Sequence, residues 1–347
     1  MLRKIVGIVL LLVVIAGGLV GWMILGSGTG FSEKTRSFII REDQTDKNAV
    51  LDIMEQNHIL SNRSVFSMVA SQAGVWDKIK PGKYEVTKGA SMRNIAAMLK
   101  YGRVATVKLV INRVRTKEEL AKLISKNMQP DSVAVMTFLN SNDSLARFKV
   151  DTSDVFTIIM QNTYSFYWNA SLQKVFQTLY NYRNAFWDKN DRMKKAEAIG
   201  MTPKEVYTLA SIVEEETNDP GDRAKIASVY ENRLNIHMPL QACPTIKYAM
   251  KDFTLTRIYE KYLLNPSPYN TYRRQGLPPG PICTPSPKTI DIVLEAPKTD
   301  YLYFVAKSDF SGYHHFSSTF KEHSEYARQY QKALDEYMAR KQEKAKN

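Results

Sequence analysis

The run from Ile5 to Leu25, "IVGIVLLLVVIAGGLVGWMIL", holds twenty-one consecutive uncharged residues, almost all apolar or glycine. As a helix it matches about one bilayer thickness, and it reads first as a membrane anchor. The rival is a cleaved signal peptide, whose apolar core spans about 7 to 15 residues and ends in a small-x-small site. Here the run is longer, and Trp22 stands near its far end in the manner of an interfacial anchor. Arg3 and Lys4 precede the run, so the positive-inside rule keeps the short N-terminus in the cytoplasm and puts the remaining mass outside. The expected location is the cytoplasmic (inner) membrane, single-pass, with an extracytoplasmic body. Disulfides persist there, so Cys243 and Cys283 either pair or stand as two small buried side chains. Two lone cysteines forty apart do not make a zinc site.

The chain has 347 residues, 44% of them hydrophobic, enough for at least one sizeable core and more naturally two domains. Its formal charge of +13 favours an anionic partner: nucleic acid, an anionic membrane surface or an acidic polymer. Nucleic acid is disfavoured, because the sequence holds no recognition-helix signature, zinc-finger spacing or Arg-rich tract interleaved with aromatics.

After residues 1–26, "GSGTGFSEKTR" reads as a short flexible linker over 27–36. Residues 37–126 then alternate strand and helix signals, a small α+β unit. "SFIIR", "GKYEVTKG" and "VATVKLVI" are strand-like, and "NAVLDIMEQN" and "SVFSMVASQ" are helical. "ASMRNIAAMLKYG" spaces Met92, Ile95, Ala96 and Leu99 at i, i+3, i+4, i+7, with Ser91 as N-cap and Gly102 as stop. In "TKEELAKLISKN", Thr116 and Glu119 fit a capping box. From 127 to 347 a second domain is expected. It contains a helix in "DSVAVMTFLN", an aromatic-rich stretch "NTYSFYWNASLQKVFQTLYNYRNAFW" that reads as core before it reads as a sugar platform, two late strands and a long charged helix from about Phe320. The overall class is α+β.

Within that second part, "MTPKEVYTLASIVEEET" carries three consecutive glutamates at the end of a helix that Thr202 caps, with Pro203 at N1 and Glu205 at N3. Val206, Leu209, Ile212 and Val213 define its buried face. Glu216, four residues past Ile212, falls near the middle of that face, whereas Glu214 and Glu215 project to either side, as water-facing carboxylates would. An apolar setting forces a carboxylate either to pair with a cation, for which Arg223 and Arg233 are available, or to hold its proton and serve as a general acid. Downstream, Gln241, Pro244 and Thr245 sit in one loop. Tyr269, Asn270, Thr271 and Tyr272 precede a segment stiffened by five prolines. Such loops form either a pre-organised polar wall for a ligand or a structural connection. His314, His315 and His323 have no established ligand spacing, so no metal and no cofactor is expected.

The blocks "LASIVEEET", "ASVYENRL", "MPLQACPTIKYAM", "YNTYRRQGLPPGPICTPS" and "YLYFVAKSDFSGYHHFSSTFKEH" resemble, in order, those of the YceG-like family of endolytic murein transglycosylases. The strong part covers roughly Pro203 to His323, and "PGKYEV" and "SMRNIAAML" are similar to a LysM-like region in front of it. The resemblance implies cleavage of peptidoglycan glycan strands between N-acetylmuramic acid and N-acetylglucosamine without water, near the synthesis machinery. It also implies Glu216 as the catalytic acid, a supporting or substrate-contacting role for Glu214, and substrate contacts from Asn232, Gln241, Thr245, Tyr269, Asn270, Thr271 and Tyr272. One departure stands out: Cys243 occupies the position where the family usually has Asp, and a Cys243 to Cys283 bridge is one way to replace its loop-shaping role. The "E-G-Y-x-F-P-D-T" block of the family is also poorly kept, with "MQNTYSFYW" in its place.

Overall fold

A computed structural model describes residues 7, 10–11, 14–15, 18, 21, 25–255 and 257–346. Most of the Ile5 to Leu25 run lies outside them, and among the described residues no helix is long and apolar enough to cross a membrane. The chain divides into two compact units. One comprises Met1–Leu109, Lys126–Pro130 and Ser165–Ser171; the other comprises Val110–Ser125, Asp131–Tyr164 and Leu172–Asn347. The boundary therefore falls earlier than the expected 126/127. The amphipathic helix beginning at Lys117 belongs to the second unit, and short later segments return to the first.

In the first unit, β1 (Thr35–Ile40) is followed by α1 (Lys47–Gln56), capped by Asp46, and α2 (Arg63–Gln72), capped by Asn62. β2 (Gly82–Thr87) then pairs antiparallel with β1, placing Phe38 opposite Tyr84 with their rings stacked at 5.5 Å. α3 (Met92–Lys100) starts at Ser91, whose hydroxyl accepts the Asn94 N–H at 3.2 Å, and buries the expected Met92, Ile95, Ala96 and Leu99. These residues and Ile40, Met54 and Val86 form one apolar core.

The expected flexible linker is a correction. Gly28 donates to the Ala90 carbonyl at 2.9 Å, Gly30 to the Ile59 carbonyl at 3.0 Å, and Phe31 is buried. A Cβ at Gly28 would lie 2.7 Å from the Met92 nitrogen and one at Gly30 would lie 2.6 Å from the Leu60 carbonyl oxygen. These glycines permit close backbone approach, not looseness.

β3 (Thr106–Ile111) pairs with β4 (Asn162–Tyr167). Between them lie α4 (Lys117–Asn127), α5 (Ser132–Leu139) and α6 (Asn142–Ala146). The capping box at α4 is half formed: Thr116 accepts the Glu119 N–H at 3.1 Å, but Glu119 turns back to the Arg115 N–H at 2.8 Å. The aromatic stretch is chiefly core, since Tyr164, Phe166, Trp168, Phe176, Phe186 and Trp187 are buried while Tyr167 and Tyr182 are exposed. α7 (Leu172–Trp187) and α8 (Arg192–Ala198) lead to α9 (Pro203–Glu216). Around α9 gather α10 (Pro220–Asn235), α11 (Cys243–Met250) and α13 (Pro287–Leu294), with the short α12 (Glu260–Leu263) between the last two in sequence. β5 (Tyr303–Ala306) and β6 (His314–Ser317) form an antiparallel ribbon against α14 (Phe320–Lys346).

Candidate active site

α9 begins as its sequence dictates, with the full capping box: Thr202 accepts the Glu205 N–H, and Glu205 accepts the Thr202 N–H at 2.8 Å. Beyond the first turn the helix is buried on nearly every side, from Val206 to Glu214, because α8, α10, α11 and α13 all pack on it. Thr208 and Ser211 tolerate this by bonding within the helix, their hydroxyls donating to the Lys204 and Thr208 carbonyls at 2.9 and 2.7 Å. A helix used this way is a rigid rod, and it fixes whatever its last turn carries.

The three glutamates of that turn have three different environments, and two depart from the expectation of water-facing carboxylates. Glu214 is buried at 7% exposure, accepts from the Ser286 N–H and hydroxyl and from the Thr289 hydroxyl, and lies 3.4 Å from the Arg223 guanidinium. Glu215 is gripped by Arg115 through two bonds of 3.0 and 2.9 Å, with Arg113 at 3.5 Å. A helix with one packed side and one wet side would leave these two carboxylates in water, but α9 is packed on nearly every side. Glu216 has no ion pair within salt-bridge distance among the described residues. Its carboxylate accepts the Tyr230 hydroxyl of α10 at 2.6 Å.

Burial pushes the Glu216 carboxyl up to about 7, against the opposing pull of the Tyr230 hydrogen bond and of Lys247, while Glu215 adds to the rise. Burial and the facing Glu216 hold the Tyr230 phenol well above its ordinary value, so it remains a donor. Of the cations expected to neutralise Glu216, Arg223 serves Glu214 instead, and Arg233 donates to the carbonyls of Leu302, Pro239 and Leu240. Removing the phenol hydroxyl takes away a bond that favours the carboxylate. The alkaline limb of kcat/KM in Tyr230→Phe is therefore expected to move to higher pH, with the maximal rate falling about tenfold as the acid loses the Tyr230 hydrogen bond; a pH–rate profile checks both.

The wall facing Glu216 comes from the N-terminus of α11 and the 267–272 loop. The Cys243 thiol is exposed and lies 3.1 Å from the Tyr272 hydroxyl, and both feel the Glu216 charge. The other expected wall residues turn inward. Thr245 and Thr271 are fully buried and meet at 2.9 Å, and Thr271 also accepts the Ala242 N–H. Asn270, also fully buried, donates to the Leu263 and Asn265 carbonyls and accepts the Tyr272 N–H. Asn232 bridges the Thr299 and Tyr301 carbonyls at 2.9 Å. These four hold the loops in place; Gln241, Cys243 and Tyr272 stay open, and Tyr269 packs on Tyr248 with ring centroids 4.7 Å apart.

Cys283 is not paired with Cys243. It is buried against α9, its thiol donating to the Ser211 carbonyl at 3.4 Å, and both thiols are free. The proline segment is instead bolted down by the Ile282 N–H on the Ser211 hydroxyl at 3.0 Å and by the Thr284 hydroxyl on the Asn112 carbonyl at 2.9 Å. Gly280 fits this tight course: a Cβ there would lie 2.2 Å from the Ser153 carbonyl oxygen. Gly280→Ala is expected to cost about 1–3 kcal/mol of stability through overpacking, measurable by urea unfolding. His314 bonds Asp222 through Nδ1 at 2.9 Å, His315 stacks on Tyr326 at 4.1 Å, and His323 stacks on Tyr303 at 5.2 Å.

Sequence reasoning missed Arg113, Arg115, Tyr230 as a bonding partner, and Lys247. "NRVR" was the available signal, two arginines straight after a strand, but nothing local tied it to glutamates a hundred residues on.

A raised carboxylic acid at the end of a buried helix, with a phenol donor and with its two neighbours neutralised by arginines, defines a single-acid site in an α+β scaffold. The sequence model of the YceG-like family matches residues 39–329, and this chain belongs to that family. It is 30% identical over 317 residues to the endolytic murein transglycosylase of Bacillus subtilis strain 168, covering 86% of this chain and 83% of that protein. The endolytic murein transglycosylase of Streptococcus pneumoniae R6 is 32% identical over 197 residues, which span 54% of this chain and 34% of that protein. The crystal structure of a YceG-like protein from Listeria monocytogenes superposes with a TM-score of 0.57 at 26% identity, covering 85% of this chain and 99% of that one.

Proposed function

We propose that this chain is an endolytic peptidoglycan transglycosylase that cuts glycan strands between N-acetylmuramic acid and N-acetylglucosamine, with Glu216 as its one acid and base. The observation that carries this reading is the Glu216 carboxyl, at the end of a rigid helix, bonded among the described residues by the Tyr230 hydroxyl alone at 2.6 Å and pushed by burial up to about 7. Near neutral pH such a group can give a proton and take one back. Glu216 protonates the glycosidic oxygen as the bond to the muramyl C1 breaks. The carboxylate so formed then takes the proton of the muramyl C6 hydroxyl, whose oxygen closes on C1 to leave a 1,6-anhydro end. The attacking oxygen belongs to the substrate, so no second carboxylate is needed to activate water, as most glycosidases require.

The same reading includes an inner-membrane anchor over Ile5 to Leu25, a LysM-like role for the first unit, and a working place beside peptidoglycan synthases, where anhydro ends limit strand elongation. The +13 charge supports contact with an acidic wall polymer. Full-length protein in detergent is incubated with peptidoglycan and the products are read by mass spectrometry. Anhydro-muramyl ends in the interior-cut fragments are expected. Reducing ends would indicate a water-using muramidase, and intact strands a wall-binding scaffold.

A further inference from the structure

The second unit contains a cavity of about 370 Å³ that the chemistry at Glu216 does not use. That volume suits a short peptide or a sugar ring, so the lining must decide between them. Its charged side chains are Lys117, Glu118 and Lys251, two cations against one anion. Lys251 and Glu118 answer each other at 3.7 Å near the mouth, where both are largely exposed. Lys117 has no carboxylate within salt-bridge distance among the described residues; its ammonium donates to the neutral Asn140 amide oxygen at 2.9 Å. Partial burial lowers its pKa, and the charges of Glu118 and Asp151, neither in contact with it, oppose that shift without reversing it. The lining also includes the Tyr248 and Tyr269 pair.

The cavity shares its walls with the acid site. α11 turns Cys243 and Lys247 toward Glu216 and Tyr248 toward the cavity, and the 267–272 loop gives Tyr272 to one and Tyr269 to the other. Arg115, which grips Glu215, lies 5.1 Å over the Phe253 ring, and Phe253 in turn packs on Tyr248 at 6.4 Å. A neutral sugar offers Lys117 nothing it lacks; a carboxylate completes the pair.

We propose that this cavity binds the carboxylate-bearing peptide substituent of the strand cut at Glu216, with Lys117 as the residue that reads the carboxylate. The assignment of this ligand rests on the glycan-cleaving reading above. Its test does not require cleavage. Full-length Glu216→Gln protein in detergent is titrated calorimetrically with three probes: a muramyl dipeptide with free glutamate carboxylates, the same compound with both carboxyls amidated, and N-acetylmuramic acid methylamide. The free acid is expected to bind at least tenfold more tightly than either neutral probe. Adding Lys117→Met should erase that difference, and Lys117→Arg should keep most of it. Lys251→Met, altered at an exposed position, gives a second reading that does not depend on the Lys117 variant folding well, and is expected to weaken the free acid about threefold. Equal affinity for acid and amide, no binding of the acid, or unchanged acid binding in both the Lys117→Met and Lys251→Met proteins overturns the proposal. Acid-selective binding by a protein whose wild type makes no anhydro ends would instead count against the catalytic reading and leave the pocket standing.

Discussion

Glu216→Gln is expected to lower glycan cleavage by about 10³-fold, within the range that a lost general acid costs, and at the same time to stabilise the protein at pH 8. An unfolded chain releases the Glu216 proton near the ordinary carboxyl value of 4.5, and the folded chain releases it near 7. Between those values the native state binds more protons than the unfolded state, so stability falls as pH rises through that window. Gln removes the penalty. The gain is about 2–3 kcal/mol above pH 7 once allowance is made for a half-buried side chain, and it disappears below about pH 4, where both states hold the proton. Urea unfolding of the two proteins at pH 4 and pH 8 measures it. A residue that weakens its own fold at the working pH and abolishes turnover when removed is behaving as a catalytic group and not as a structural one.

Glu214→Gln is expected to do the reverse, costing about 3–5 kcal/mol, because it leaves the Arg223 guanidinium buried without its counter-charge. Arg223 would retain only the Thr217 carbonyl at 2.8 Å and the Thr289 hydroxyl at 2.9 Å, both neutral. The carboxylate also organises the start of α13 through Ser286 and Thr289, so the loss reaches beyond one ion pair. Urea unfolding gives the cost directly, and the double variant with Arg223→Met should recover a large part of it, since removing both charges is far cheaper than stranding one. Glu215→Gln, whose partners Arg113 and Arg115 are about a third exposed, should cost about 1 kcal/mol or less. In Glu214→Gln cleavage should track the folded fraction, with the acid itself still in place, whereas Glu215→Gln removes a charge that raises the Glu216 carboxyl and should move the alkaline limb to slightly lower pH.

Most elements were legible because their signals are local. Ser91 and Thr202 capped the helices assigned to them, period-3.6 apolar positions marked α3 and α9, and five of the strands fell in the segments read as strand-like, while β4 lay hidden in the aromatic-rich stretch. Glu216 was legible for the same reason: its place on the helix follows from Leu209 and Ile212 alone. What stayed hidden is long-range. A helical wheel says which way Glu214 points but not that α13 waits there with Ser286 and Thr289, and no spacing rule joins Arg115 to Glu215. "GSGTG" has a linker's composition, yet Gly28 and Gly30 serve close packing against Met92 and Leu60, a use of glycine that composition does not distinguish from flexibility. The loop polar residues failed similarly: Thr245, Asn270 and Thr271 looked like ligand contacts because buried and displayed hydroxyls are spelled alike.

The most direct measurement is a carbon-13 NMR titration of the glutamate side-chain carboxyls in the full-length protein, with Glu216 assigned by comparison with Glu216→Gln. That assignment matters because burial also raises Glu231 to about 7. Glu216 is expected to titrate with a midpoint near 7, matching the alkaline limb of kcat/KM. A midpoint below 5, with the carboxylate ionised across the whole active range, would contradict a proton donor at this position.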